Sequence, residues 1–109
     1  MNKSINEWQE EIHQIAMDKG WWDDERTFGE IVALMHSELS EALESYRNGE
    51  PLYWVEDNGK PEGIAVELVD TIIRILDYLG AKELDTENIL KLKVEYNKSR
   101  EYRHGNKKI

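Results

Sequence analysis

Between Ile64 and Leu79 the chain carries an apolar pattern that few folds can accommodate. Ile64, Ala65, Leu68, Val69, Ile72, Ile73, Ile75, Leu76 and Leu79 recur at helical spacing and spread over two faces of the helix they predict. Only a narrow strip stays polar, formed by Glu67, Asp70, Arg74 and Asp77. One partner helix cannot cover so much apolar surface. The pattern therefore predicts a helix buried on most sides, in part by another subunit.

Three more helices are expected around it. The first runs from Ser4 to Lys19, with Ser4 and Glu7 spaced as a capping box, apolar Ile5, Trp8, Ile12, Ile15 and Ala16, and Gly20 at its end. The second starts at Thr27, where Glu30 completes another capping box, and ends near Asn48-Gly49. The central helix starts near Pro61, a residue suited to the first helical turn, and runs to Leu79 before Gly80. A fourth follows the Asp85-Thr86 cap and reaches about Tyr102, leaving a short tail. The stretch from Glu50 to Lys60, with Pro51, Asn58-Gly59 and the large residues Leu52, Tyr53 and Trp54, reads as a loop. Short connections favour antiparallel packing, so residues 1–109 are expected to form a single all-α domain, a four-helix bundle completed by oligomerisation.

Charge narrows the choice of partner. The chain has 23 acidic and 14 basic residues, a formal net charge of −9, which disfavours nucleic acid polymers and anionic membranes. No apolar run approaches the roughly 20 residues that span a bilayer, and the start lacks a signal-peptide apolar stretch. The absence of cysteine excludes disulfides and thiolate zinc sites and agrees with a cytoplasmic location. Seven of the 14 basic residues fall between Lys91 and Lys108, so anions should be met toward that end.

Four carboxylates stand out. Glu38 and Glu41 are three apart on the second helix, and Glu67 and Asp70 repeat that spacing on the third. If the two helices pack antiparallel, all four can converge on one volume. Hard divalent cations prefer such oxygen donors, and without a cation the like charges would repel. The same residues also fit a solvated stripe in which Arg74 pairs with Asp70 or Asp77. Spacing alone leaves both readings open.

Glu38-Leu39-Ser40-Glu41, a gap of 25 residues, and Glu67-Leu68-Val69-Asp70 resemble the ExxE…ExxD signature of MazG-like nucleotide pyrophosphohydrolases, members of the all-α nucleoside triphosphate pyrophosphatase superfamily. The segments His36–Ala42, Glu62–Asp70 and Lys93–Arg100, followed by Arg103-His104-Gly105, are similar to the same family, in its order and over nearly the whole chain. The resemblance implies Mg²⁺-dependent hydrolysis of a (d)NTP to the (d)NMP and pyrophosphate, with Mn²⁺ as a possible substitute and nucleotide-pool cleaning as the role. It implies Glu38, Glu41, Glu67 and Asp70 as metal ligands, with Glu38 or Glu41 also able to take a proton from the attacking water. It further implies a homodimer or homotetramer.

Other residues have two readings. Lys93, Asn97 and Arg100 share one stripe of the fourth helix and could hold the triphosphate, or form an ordinary basic face. Trp21 and Trp22 could stack on a base, or fill the core or an interface. Asp77 either extends the site or, as the favoured reading, pairs with Arg74. His36 could support the carboxylates, while His13 is expected to be structural or exposed. A narrow-specificity dUTPase-like or dCTPase-like enzyme would keep the same helices and carboxylates. A non-catalytic nucleotide-binding or oligomerisation module would have no need of carboxylates beside its core.

Overall fold

The computed structural model describes residues 2–108. In chain order the elements are α1 (Ile5–Asp18), α2 (Phe28–Arg47), β1 (Trp54–Val55), β2 (Pro61–Glu62), α3 (Ile64–Ala81), α4 (Thr86–Ser99) and α5 (Arg103–Asn106). Both capping boxes form. The Ser4 hydroxyl accepts from the Glu7 amide at 3.1 Å while the Ser4 amide donates to Glu7 Oε1 at 2.8 Å. Thr27 and Glu30 repeat the arrangement at the start of α2. Asp85 caps α4 through the Asn88 amide at 3.1 Å.

The start of α3 differs from expectation. Pro61 is not in the first helical turn but in β2, paired antiparallel with Val55, while Trp54 pairs with Glu62. A proline is tolerated there because an edge position needs no N–H from it. The helix begins instead after Gly63, whose φ is +116° and which offers no side-chain cap. The carbonyl of Leu52 takes that role by accepting from the Ala65 amide at 2.9 Å. It comes so close that a Cβ on Gly63 would lie 2.5 Å from it. Only glycine fits both the backbone conformation and the space.

Gly80 does not end α3. The helix continues through it to Ala81 because this glycine faces α1, where a Cβ would lie 2.9 Å from His13 Cβ and 3.1 Å from the Gln9 carbonyl. Its role is close helix approach rather than termination. At the other end of the chain α4 stops at Ser99, short of Tyr102, and the expected tail contains the α5 turn.

α3 is the centre of the fold, packed against both α2 and α1. α4 packs more lightly, on α1. That junction is largely polar: Asn6 Nδ2 donates to Asp85 Oδ1 at 2.8 Å, the Glu87 amide to Asn6 Oδ1 at 3.0 Å, and Gln9 Nε2 to the Leu84 carbonyl at 2.9 Å. The described residues are therefore all-α apart from the two-stranded hairpin, and no helix among them is long and apolar enough to cross a membrane.

The chain leaves much of its apolar surface uncovered. Leu68, Val69, Ile72, Ile73 and Ile75 of α3 are all exposed, as is Leu92 of α4. The accessible surface is 8847 Å², against roughly 6,300 Å² for a compact monomer of this mass. The radius of gyration is 16.7 Å, against about 13 Å for a compact chain of this length. The exposed apolar residues on α3 and α4 contribute to both departures, together with Leu39, Leu43 and Tyr46 of α2 and Leu52 and Tyr53 before β1.

Candidate metal centre

The packing of α2 on α3 brings the two acidic motifs together. Glu38, Glu67 and Asp70 each offer one carboxylate oxygen, and the three oxygens lie within 4.8 Å of one another. All three residues are half-buried. Glu41, on the turn after Glu38, is exposed and close enough to act on Glu67, whose pKa it raises. Three of the four expected ligands thus share one volume, and the fourth stands at its rim.

The cost of this crowding falls on Glu67. Burial first, then hydrogen bonds with Glu41 and Glu38 and the charges of Glu41 and Asp70, push its pKa up to about 7. Asp70 is raised for the same reasons, burial ahead of the Glu38 charge, with Arg74 acting in the opposite sense. Near neutral pH the cluster must hold a proton or share a cation. Its dimensions suit a cation. Neighbouring oxygens on Mg²⁺, with bonds of about 2.1 Å at right angles, are about 3 Å apart and opposite ones about 4.2 Å, so three carboxylate oxygens within 4.8 Å of one another are near enough for one cation to draw together.

Arg74 does not pair with Asp70 or Asp77 along its own helix. It reaches across to α2, where Nε donates to Glu38 Oε1 at 3.0 Å and Nη2 lies 2.9 Å from the same oxygen in an ion pair. Asp77 is occupied elsewhere. Trp22 Nε1 donates to its two oxygens at 3.0 and 3.1 Å, and His13 Nδ1 lies 2.8 Å from Oδ1. The indole and imidazole rings meet edge-on, 5.3 Å between centroids. His13 is thus structural, as expected, and the favoured Arg74–Asp77 pair is replaced by two separate long-range contacts.

A cavity of about 350 Å³ opens between the carboxylates and the tryptophans, bordered by Glu38, Asp70 and Arg74 at one end and by Asp77, Trp22 and Trp21 toward the other. Its remaining walls are mainly aliphatic side chains of α1, α2 and α3. That volume lies within the range of small-molecule sites, apolar with a few convergent polar groups. Trp22 is half-buried and tethered by Asp77. Trp21 is exposed, with the Arg26 guanidinium 5.3 Å above its ring.

The basic stripe lies apart from this cavity. Lys93 and Asn97 are exposed on α4 and Arg100 just past its end in extended backbone, and Lys93 and Arg100 rest over the Tyr96 ring at 5.0 and 5.7 Å. His36 is exposed on α2 and makes no hydrogen bond to the carboxylates among the described residues. Comparison with family models, curated proteins and solved structures gave no match to the chain.

Proposed function

We propose that this protein is a Mg²⁺-dependent nucleoside triphosphate pyrophosphohydrolase acting on the cytoplasmic nucleotide pool. The observation that carries the reading is the convergence of Glu38, Glu67 and Asp70, with Glu38 and Asp70 lining a cavity that Trp21 and Trp22 also wall. Glu38, Glu67 and Asp70 would hold the cation, with Glu41 completing the set from the rim; Mn²⁺ would serve in place of Mg²⁺. Bound there, the cation would neutralise phosphate charge that the carboxylates alone would repel.

In the reaction a water oxygen forms a bond to the α-phosphorus. The bond from that phosphorus to the α–β bridging oxygen breaks, and its electron pair leaves on pyrophosphate. The water's proton passes to a carboxylate, and Glu41 suits that role because it is exposed beside the cluster and outside the three-oxygen group. The base lies toward the tryptophans, an apolar wall suited to stacking. Uracil- or cytosine-restricted activity would be a special case of the same arrangement.

A homodimer or homotetramer is part of the reading. The surface in excess of a compact monomer, roughly 2,500 Å² per chain by the comparison above, is what a large obligate interface buries. In such an assembly a neighbouring α4 would supply Lys93, Asn97 and Arg100 to the triphosphate. A purely structural oligomer would share the apolar faces but would gain nothing from three mutually repelling carboxylates.

The test is a panel of canonical and modified (d)NTPs incubated with Mg²⁺, with products resolved by chromatography. The reading requires NMP and pyrophosphate in metal-dependent amounts. Orthophosphate as product, or no turnover of any nucleotide, would sink it.

A further inference from the structure

One cation of the cavity wall touches the carboxylate cluster directly. Arg74 lies one turn beyond Asp70 on α3, and acidic partners are within helical reach at Asp70 and Asp77. It uses neither. Both of its contacts go to a single oxygen of Glu38 on the neighbouring helix, at 3.0 and 2.9 Å. A guanidinium holds five N–H donors in a rigid plane. Nε–H is spent on Glu38, Nη2 rests against the same oxygen as an ion pair, and no further protein acceptor engages the guanidinium among the described residues. The side chain remains 35% exposed and forms part of the cavity wall.

The other basic groups near this cavity sit differently. Lys19 and Arg26 also line it, and Arg26 donates Nε to the Trp21 carbonyl at 2.7 Å, away from the carboxylates. The α4 stripe is outside the lining altogether. Arg74 therefore supplies positive charge at the junction between the metal ligands and the pocket, the place a phosphoryl group must occupy to be attacked.

Resting on the pyrophosphohydrolase reading, we propose that Arg74 is a substrate-contacting residue. It holds Glu38 through Nε–H and the ion pair at Nη2, and presents its remaining N–H groups to a non-bridging oxygen of the α-phosphoryl group. Negative charge on those oxygens is redistributed as the water attacks and pyrophosphate departs, so a fixed donor aimed at them acts on the transition state. Such a contact appears in kcat more than in KM. Glu38, held by the arginine at Oε1, would also help hold the cation, and that sharing would couple the position of the metal to that of the phosphate.

The experiment compares Arg74→Gln and Arg74→Lys with the parent chain, each checked for helicity by circular dichroism. Steady-state kinetics and Mn²⁺ binding to nucleotide-free protein, read by electron paramagnetic resonance, are measured in parallel. Arg74→Gln should lower kcat by about 100-fold with a far smaller change in KM. Its Mn²⁺ affinity should stay equal or tighten, because a positive charge beside Glu38 has been removed. Arg74→Lys should recover part of kcat, as a point charge without the fork, and it serves as the test variant should Arg74→Gln not fold. A kcat within a few-fold of the parent would overturn the proposal. So would Mn²⁺ affinity falling in step with activity, since Arg74 would then serve only to hold Glu38. If the parent hydrolyses no nucleotide, the pyrophosphohydrolase reading fails separately. Arg74 is then judged by calorimetric titration of Mn²⁺-loaded protein with tripolyphosphate: binding at least about tenfold weaker in Arg74→Gln supports the contact, and equal binding refutes it.

Discussion

Trp22 Nε1 donates to both carboxylate oxygens of Asp77, at 3.0 and 3.1 Å, tying the connection after α1 to the last turns of α3. His13 closes the same network from α1 at 2.8 Å. Replacing Asp77 with alanine leaves two half-buried donors without their partner. It should destabilise the fold by about 1–3 kcal/mol, measured by urea denaturation, and loosen Trp22, visible as a red-shifted indole emission. A variant with parental stability and emission would show that the network is incidental.

The raised pKa of Glu67 links stability to pH. Its proton is held more tightly in the folded state than in the unfolded chain, whose ordinary value is 4.5. The resulting contribution is complete below that value and is lost as pH rises through about 7. In chelator, melting temperature should therefore fall between pH 5 and pH 8 relative to Glu67→Gln, which has no such proton to lose. Adding Mg²⁺ at pH 8 should raise the melting temperature of the parent chain but not of Glu67→Gln. A parent–variant difference that stays constant with pH would contradict the assignment.

The geometry ranks the carboxylates. Asp70→Asn removes a member of the three-oxygen group, whereas Glu41→Gln alters the rim. Mn²⁺ titrations should show at least about a tenfold loss of affinity for Asp70→Asn and a smaller loss for Glu41→Gln, although both should lose pyrophosphohydrolase activity. Equal affinity losses would place Glu41 inside the coordination set.

The uncovered face of α3 predicts association. Light scattering at micromolar concentration should give a multiple of the 12.8 kDa chain mass. Ile72→Asp, which puts a charge on that face, should return the mass toward the monomer and lower the melting temperature. An unchanged oligomer in Ile72→Asp would remove this face from the interface.

What could be read from the chain alone followed local chemistry. Capping boxes at Ser4 and Thr27 and the apolar periodicity of α1, α2 and α3 are properties of neighbouring residues, and the helices form where those signals stand. The approach of Glu38 to Glu67 and Asp70 was also legible, because two ExxE-type spacings on adjacent helices limit where the side chains can go. The misreadings concern residues whose roles are set by distant chain. Pro61 looks like a helix start until Leu52 supplies the carbonyl that caps Ala65. Gly80 looks like a helix end until α1 lies against it. Arg74 had suitable partners on its own helix, and nothing in its spacing points to Glu38, 36 positions away. Asp77 likewise meets His13 and Trp22 across separations of 64 and 55 residues.

The hairpin between α2 and α3 sorts its own residues by how they can be altered. At its tip, Gly59 has φ +88° and open space around it, and the turn is closed only by local bonds from Lys60 and Gly59. At its root, Gly63 is pressed against Leu52, and Glu67 lies in the first turn of the helix that starts there. Gly59→Ala should cost about 1 kcal/mol and leave Mn²⁺ affinity alone. Gly63→Ala should cost about 3 kcal/mol and weaken Mn²⁺ binding, although glycine coordinates nothing. A peptide tag or fluorophore inserted between Asn58 and Gly59 would accordingly report on the centre from a few turns away without disturbing it. The same insertion five residues later would dismantle the centre.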